Sequence, residues 1–330
     1  MNKKFRTPIY ASVDITNKCN LNCIHCRNDK SKFIDVEYNK LDGILTELEE
    51  MEVFFLSIVG GEPFLYKDID RLLIKLNNLN IPKITIVTNG TMINIKQIIK
   101  LNPHKIKFII SLDGPESIHN FIRGKNIYTD VLKSIKLLID NHFSVAINYT
   151  IMKPNFKHIR EIIEVAKKLK INKINFLKLF PVHSEIYSLM LSKEETEELY
   201  RTYDQYKNDN KIKLSFEKDY LDYPEYIDDD VCFSVGCRAG ISQINILSNG
   251  DVVGCKLLPQ IISGNIYKDR LIDIWNNDSA WELYRKIDEN IKDDICKDCK
   301  YFSACRGGCR ALSFYVNNDL YGKDPNCTIR

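Results

Sequence analysis

The chain has 330 residues, 44% hydrophobic and 28% charged, the balance of an ordinary globular protein with room for a large α/β unit and a smaller companion. Its 47 basic and 44 acidic side chains leave a net charge of +3 and form no basic stripe, which argues against a nucleic-acid binder. No apolar run reaches the roughly 18 residues of a membrane span, and the start, Met1-Asn2-Lys3-Lys4-Phe5-Arg6, lacks the apolar core of a signal peptide, so a cytoplasmic location is expected.

The first apolar segment, Ile9–Ile15, reads as a strand and runs into Cys19-Asn20-Leu21-Asn22-Cys23-Ile24-His25-Cys26. Three thiolates on one loop hold three irons of a cubane cluster and leave the fourth open to an outside ligand. An open position separates a working metal site from a closed structural one; a zinc site would instead need a fourth ligand, and His25 is the candidate. Further strands are expected over Val53–Val59, Lys83–Thr88, Ile106–Leu112, Ser144–Ile151 and Lys173–Phe180. The run from Ile106 to Leu112 is nearly continuous in apolar residues, as in parallel strands covered on both faces. Between strands lie helical periods, such as Val131, Leu132, Ile135, Leu138 and Ile139, or Phe156, Ile159, Ile163, Ala166 and Leu169 after Pro154. This alternation implies βαβ units and a partial (β/α)6 TIM-like barrel, with its chemistry at the carboxyl ends of the strands.

The polar and glycine residues follow that register. Gly60-Gly61-Glu62-Pro63 comes after the second strand and Thr88-Asn89-Gly90 after the third. The fourth ends in Ser111-Leu112-Asp113-Gly114-Pro115, with Arg123-Gly124 beyond. Glycines there allow close backbone approach to a ligand. The densest charge block is acidic, Glu217 to Asp230, and reads as a solvated linker. All eleven cysteines lie in two zones, 19–26 and 232–327; an odd count in clusters points to metal rather than disulfides. The expected organisation is therefore a barrel over 1–212, an acidic linker over 213–231 and a cysteine-rich domain over 232–330. In that domain Ser248-Asn249-Gly250-Asp251 signals a hairpin between Gln243–Leu247 and Val252–Lys256, which carries Cys255.

The C-x3-C-x2-C spacing of Cys19, Cys23 and Cys26 resembles that of the radical S-adenosylmethionine (SAM) superfamily. The resemblance implies a 4Fe–4S cluster whose open iron is chelated by SAM, and cleavage of SAM to a 5′-deoxyadenosyl radical that abstracts hydrogen from a substrate. Gly60, Gly61, Glu62 and Pro63 are similar to the loop whose backbone carbonyls hold the SAM methionine amino group. Ser111 and Arg123 match the residues contacting the ribose and carboxylate, the latter through a guanidinium fork. Thr88 and Asn89 are further candidates, and Leu179 matches a residue near the adenine.

The remaining cysteines, with Gly250, read C-x12-G-x4-C from Cys237 and C-x2-C-x5-C-x3-C-x17-C from Cys296. They resemble the SPASM domain of radical SAM enzymes that mature peptides and proteins. The resemblance implies two auxiliary 4Fe–4S clusters, three in all. Cys232, Cys237, Cys255 and Cys309 would ligate the first auxiliary cluster, and Cys296, Cys299, Cys305 and Cys327 the second. Two four-cysteine zinc sites are the alternative that spacing alone leaves open. With all eight ligands present neither auxiliary cluster has an iron free for substrate, so an electron-relay role is expected.

Among related chemistries, sulfatase maturation is disfavoured, because Lys256 stands where those enzymes place an aspartate after the cysteine. Thiol-donor epimerisation is disfavoured because every cysteine is assigned to a cluster. The expectation is a peptide substrate modified by a thioether or carbon–carbon crosslink. Tetrapyrrole or peptide-derived cofactor chemistry comes second, and a non-catalytic iron–sulfur carrier last. The expected partner is a low-potential donor such as flavodoxin or ferredoxin; since only eighteen residues precede Cys19, either a separate protein recognises the peptide or leader recognition is dispensed with. Neither nucleic acid nor membrane is expected as a partner.

Overall fold

A computed structural model describes residues 4–28, 31–182, 184–206, 209–216, 236–325 and 327. Its centre is one ten-stranded sheet in the order β10-β9-β8-β1-β2-β3-β4-β5-β6-β7. The six expected strands are β1 (Tyr10–Asp14), β2 (Phe55–Val59), β3 (Lys83–Thr88), β4 (Ile106–Ser111), β5 (Ser144–Thr150) and β6 (Lys173–Leu177). All are parallel, each hydrogen-bonded to the next. Helices α1 (Tyr38–Glu50), α2 (Ile69–Asn78), α3 (Ile95–Ile98), α4 (Glu116–Arg123), α5 (Tyr128–Asp140) and α6 (Ile159–Lys168) fill the connections. In α5 the buried positions Val131, Ile135 and Leu138 form the stripe that the sequence period predicts.

The strands are not apolar on both faces. Alternate residues, such as Phe108 and Ile110 of β4 or Ile147 and Tyr149 of β5, are buried in the core. Their neighbours Ser12, Ser57, Ser111, Asn148 and Thr150 line a cavity on the other face. The period-2 pleat therefore separates a buried apolar layer from a mixed face on which these polar residues sit beside Phe55, Val87, Ile109 and Leu177.

Two edges differ from expectation. The linker expected over 213–231 begins with a strand, β7 (Lys213–Phe216), paired parallel to β6, so the barrel runs at least four residues past 212. The rest of that linker, the acidic block Glu217–Asp230 and Cys232 all lie outside the described residues. At the opposite edge the expected hairpin forms as β8 (Gln243–Ile246) and β9 (Asp251–Val253), with β10 (Ile262–Asn265) added. β8 pairs parallel to β1, joining the cysteine-rich region to the barrel sheet. Trp275 and Trp281 then pack at an edge-on 5.6 Å, and Trp275 donates to Phe5 O at 3.2 Å. No helix among the described residues is long and apolar enough to cross a membrane.

Candidate active site

The Cys19–Cys26 loop is held mainly by backbone. Gly61 N donates to Thr16 O and Glu62 N to Lys18 O, both at 2.7 Å. A Cβ on Gly60 would stand 2.2 Å from Thr16 O, and one on Gly61 2.1 Å from Lys18 O, so only glycine fits at either position. On the far side Ile24 N donates to Ile122 O at 3.0 Å, fixing the loop to the end of α4. Side chains add to this brace. Thr16 Oγ1 donates to Asp35 Oδ1 at 2.6 Å, and Asn89 Nδ2 donates to Asn20 Oδ1 at 2.9 Å.

Glu62 is fully buried, and burial pushes its carboxyl above the usual range, against the bonds it accepts. It accepts from Thr88 Oγ1 at 2.6 Å, Asn89 N at 2.7 Å and Phe64 N at 3.2 Å. Its carboxylate is thereby committed to joining the loops after β2 and β3. Pro63 is also buried, at the start of a 3-10 turn.

Arg123 closes α4, forms an ion pair with Asp113 Oδ2 at 2.5 Å and donates to the Cys23 thiol at 3.6 Å. Asp113 itself is fully buried; burial works against its charge, but Arg123, with His25 and His119 behind it, outweighs this and holds its pKa below the ordinary value. Burial likewise opposes the Arg123 charge, and Asp113 and Cys23 more than restore it. Burial lowers His25 and His119 to about 4, leaving both neutral.

These groups face one cavity of about 1280 Å³, which the loops after β1 to β4 help to line. Cys19, Cys23, Cys26, Gly60, Gly61, Thr88, Asn89, Ser111, Arg123 and Leu179 line it, whereas Glu62 and Pro63 sit behind its wall. Asp113, Asp35 and Asn20 are site-building residues that sequence reasoning did not single out. Asp113 lay within the quoted Ser111–Pro115 run, and its strand-end position was the available signal.

The C-terminal cysteines fall into two neighbourhoods. Burial, then the Cys237 thiol, lifts Cys255 to about 11. Burial lifts Cys309 to about 12, with Asp324, Cys237 and Cys255 adding to it. The second neighbourhood is Cys296, raised to about 11 by burial, Asp293 and Cys327, and Cys305, raised to about 12 by burial, Cys327 and Asp324. Cys299 lies one turn from Cys296, its N donating to Cys296 O at 3.2 Å. Cys255 alone of these lines the large cavity.

Thiols so raised are protonated at neutral pH and ionise when a metal takes the proton's place. All ten described cysteines are free of disulfides. Among the described residues no three His, Cys, Asp or Glu side chains converge on a single ion. Thiols bound to different irons of one cluster stand further apart than the ligands of one zinc. The donor set, the glycine cradle and the buried, unpartnered Nε of Arg123 together fit an iron–sulfur cluster with SAM on it.

Lys256, the residue after Cys255, forms a tight ion pair with Asp14 at the end of β1. Burial lowers its pKa, against the pull of Asp14.

Comparison with known proteins agrees with this geometry. The radical SAM superfamily profile matches residues 13–166, and that of SPASM, an iron–sulfur cluster-binding domain, matches 237–300. The chain is 24% identical to the AdoMet-dependent heme synthase of Methanosarcina barkeri, over 98% of this chain and 97% of that protein. It is 27% identical to mycofactocin maturase MftC of Mycolicibacterium smegmatis, over 97% and 82%. The structure of Streptococcus suis SuiB bound to S-adenosylmethionine superposes with a TM-score of 0.84 at 23% identity, over 99% of this chain and 79% of that one. SuiB bound to its precursor peptide SuiA gives 0.82, covering 99% and 77%.

Proposed function

The chain belongs to the radical SAM superfamily and carries a SPASM domain, and from that premise we propose that it is a peptide-modifying oxidoreductase that crosslinks a ribosomally made precursor. It binds SAM and iron–sulfur clusters. In this reading Cys19, Cys23 and Cys26 hold the SAM-binding cluster. Cys232, Cys237, Cys255 and Cys309 hold the first auxiliary cluster, and Cys296, Cys299, Cys305 and Cys327 the second. When bound, the loop cluster and SAM supply a carbon-centred radical that removes hydrogen from substrate.

The chain's own residues do the positioning. Gly60 and Gly61 offer main-chain carbonyls to the SAM amino group, with Glu62 fixing their loop from behind. Arg123, oriented by Asp113, faces the carboxylate, Ser111 the ribose and Leu179 the adenine. Thr88 and Asn89 hold the Glu62 side of the cradle. With every cysteine assigned, none remains as a thiol hydrogen donor, which favours an oxidative crosslink over epimerisation. The barrel through β7 and the domain over 232–330 then divide the work between radical generation and electron removal, and a low-potential flavodoxin or ferredoxin supplies the first electron.

The single observation that carries this reading is the shared cavity: the loop thiols, the glycine cradle, Arg123 and Cys255 of the SPASM region all line it. MftC is named a maturase, and SuiB has been seen with a precursor peptide, which favours a peptide. A second reading, carboxylate-bearing tetrapyrrole chemistry, has its own support, since the heme synthase match covers nearly the whole of both proteins. The test is anaerobic incubation of reconstituted enzyme with SAM, dithionite and the precursor peptide encoded beside its gene, followed by mass spectrometry. Loss of about two mass units from the peptide together with 5′-deoxyadenosine supports the proposal. An unchanged peptide while 5′-deoxyadenosine accumulates rejects it.

A further inference from the structure

The cavity is charged unevenly. Among the described residues seven basic side chains line it, and Asp14 is the one acidic residue that does. Several of the cations are already committed. Arg123 is matched by Asp113, Arg306 by Asp288 at 2.6 Å and Lys4 by Asp278 at 3.0 Å. Three others are not used up. Lys256 is nearly buried, 11% exposed at its side chain, and its ammonium has three N–H donors but one recorded partner, Asp14. Arg27 and Arg238 are exposed where they line the cavity, and the guanidinium of neither has an ion-pair or hydrogen-bond partner among the described residues. Arg27 lies close enough to Lys256 for the two cations to repel.

A nearly buried ammonium with two spare donors costs free energy unless a further acceptor reaches it, and two exposed guanidiniums without an ion-pair partner among the described residues make the same wall attractive to an anion. The Cys23 thiol faces Arg123, and the Cys255 thiol, near Lys256 and Arg27, offers no oxygen acceptor for the spare N–H donors.

We propose that Lys256, Arg27 and Arg238 form a carboxylate-binding subsite that selects substrates presenting an acidic group to the cavity. In the peptide reading, on which this inference rests, the group is a glutamate or aspartate side chain or a free C-terminus. A tetrapyrrole propionate carries the same chemistry. Guanidiniums clamp a carboxylate bidentately, and a charge-assisted pair distinguishes it from its amide isostere.

The test uses fluorescein-labelled decapeptides, one alternating glycine with glutamate and one glycine with glutamine. Each is titrated by fluorescence anisotropy into the reconstituted holoenzyme with SAM, at about 0.15 M salt to suppress long-range attraction. The glutamate peptide is expected to bind about tenfold more tightly. Arg238→Gln should reduce that preference severalfold, and Arg238→Lys should restore part of it, a pattern that a merely structural role would not give. Equal binding of the two peptides to the unmodified enzyme overturns the subsite unless mesoporphyrin is bound in preference to its dimethyl ester. So does a preference unchanged in the Arg238→Gln, Lys256→Met double variant. Mesoporphyrin and its dimethyl ester form a parallel pair. A preference for the free acid there, with none between the peptides, keeps the carboxylate subsite and overturns the peptide reading.

Discussion

Cys19, Cys23 and Cys26 lie within eight residues on one loop, whereas the seven described C-terminal cysteines are spread from Cys237 to Cys327. The loop is gripped by the main chain of its neighbours, through Gly61, Glu62 and Ile122. The C-terminal thiols ride on short helices and turns, and buried arginines tie those pieces together. Arg310, 1% exposed, donates to Gly307 O, Leu320 O and Gly322 O and so joins the Cys309 segment to the one leading to Cys327. The first site is local and can be read from spacing. The second, as proposed, forms only once the chain has folded back on itself, so its thiols and its fold would depend on each other.

Five substitutions would break or sharpen that contrast. The largest effect is expected for Cys23→Ala: SAM cleavage should fall to background while iron content drops only from about twelve to about eight per chain, the loss of one four-iron cluster. Cys296→Ala should do the reverse, retaining 5′-deoxyadenosine formation within severalfold while blocking product. If both variants lose all iron, the two sites are not independent. Arg310→Met removes a buried donor set and should cost about 3 kcal/mol or more in denaturant unfolding. Its iron loss should fall on the C-terminal region, with the loop cluster still able to load.

Asp113→Asn leaves Arg123 buried without its counter-charge and should cost about 3 kcal/mol, with weaker SAM binding. Because the Asp113 pKa is depressed in the fold, its stabilisation is complete above about pH 4 and is lost as pH falls through the folded value. Acid unfolding of the Asn variant should lack that component. Gly61→Ala puts a Cβ 2.1 Å from Lys18 O, so the cradle and the main chain leading into Cys19 must both shift. A rise of at least about tenfold in the SAM Kd, with iron lost from the loop and not from the C-terminal region, is the expected result.

The same contrast explains what the sequence made legible. Strands β1 to β6, the glycine cradle and the Asn249-Gly250 hairpin carry local signals, because apolar runs and turn residues write them directly. β7 went unread because Lys213-Leu214-Ser215-Phe216 is short and flanked by charge, and it is a strand by virtue of its pairing with β6. The mixed cavity face was missed because isoleucines on both faces of β4 mask the alternation. The joining of β8 to β1 is a contact between residues more than two hundred positions apart, which no local pattern encodes. Glu62 was read as part of a ligand loop, but three donors already claim its carboxylate. Lys256 stands where sulfatase maturases place an aspartate, and its ion pair with Asp14 is a contact that no local pattern signals.

The account's central claim is that one open cluster sits on the loop and closed clusters sit in the SPASM region. Electron paramagnetic resonance of the dithionite-reduced enzyme, with and without SAM, tests it most directly. The account predicts that SAM shifts one signal, that this signal is missing in Cys23→Ala, and that the remaining signals are the same in both proteins. A SAM-induced shift that survives in Cys23→Ala would place the open iron elsewhere and contradict it.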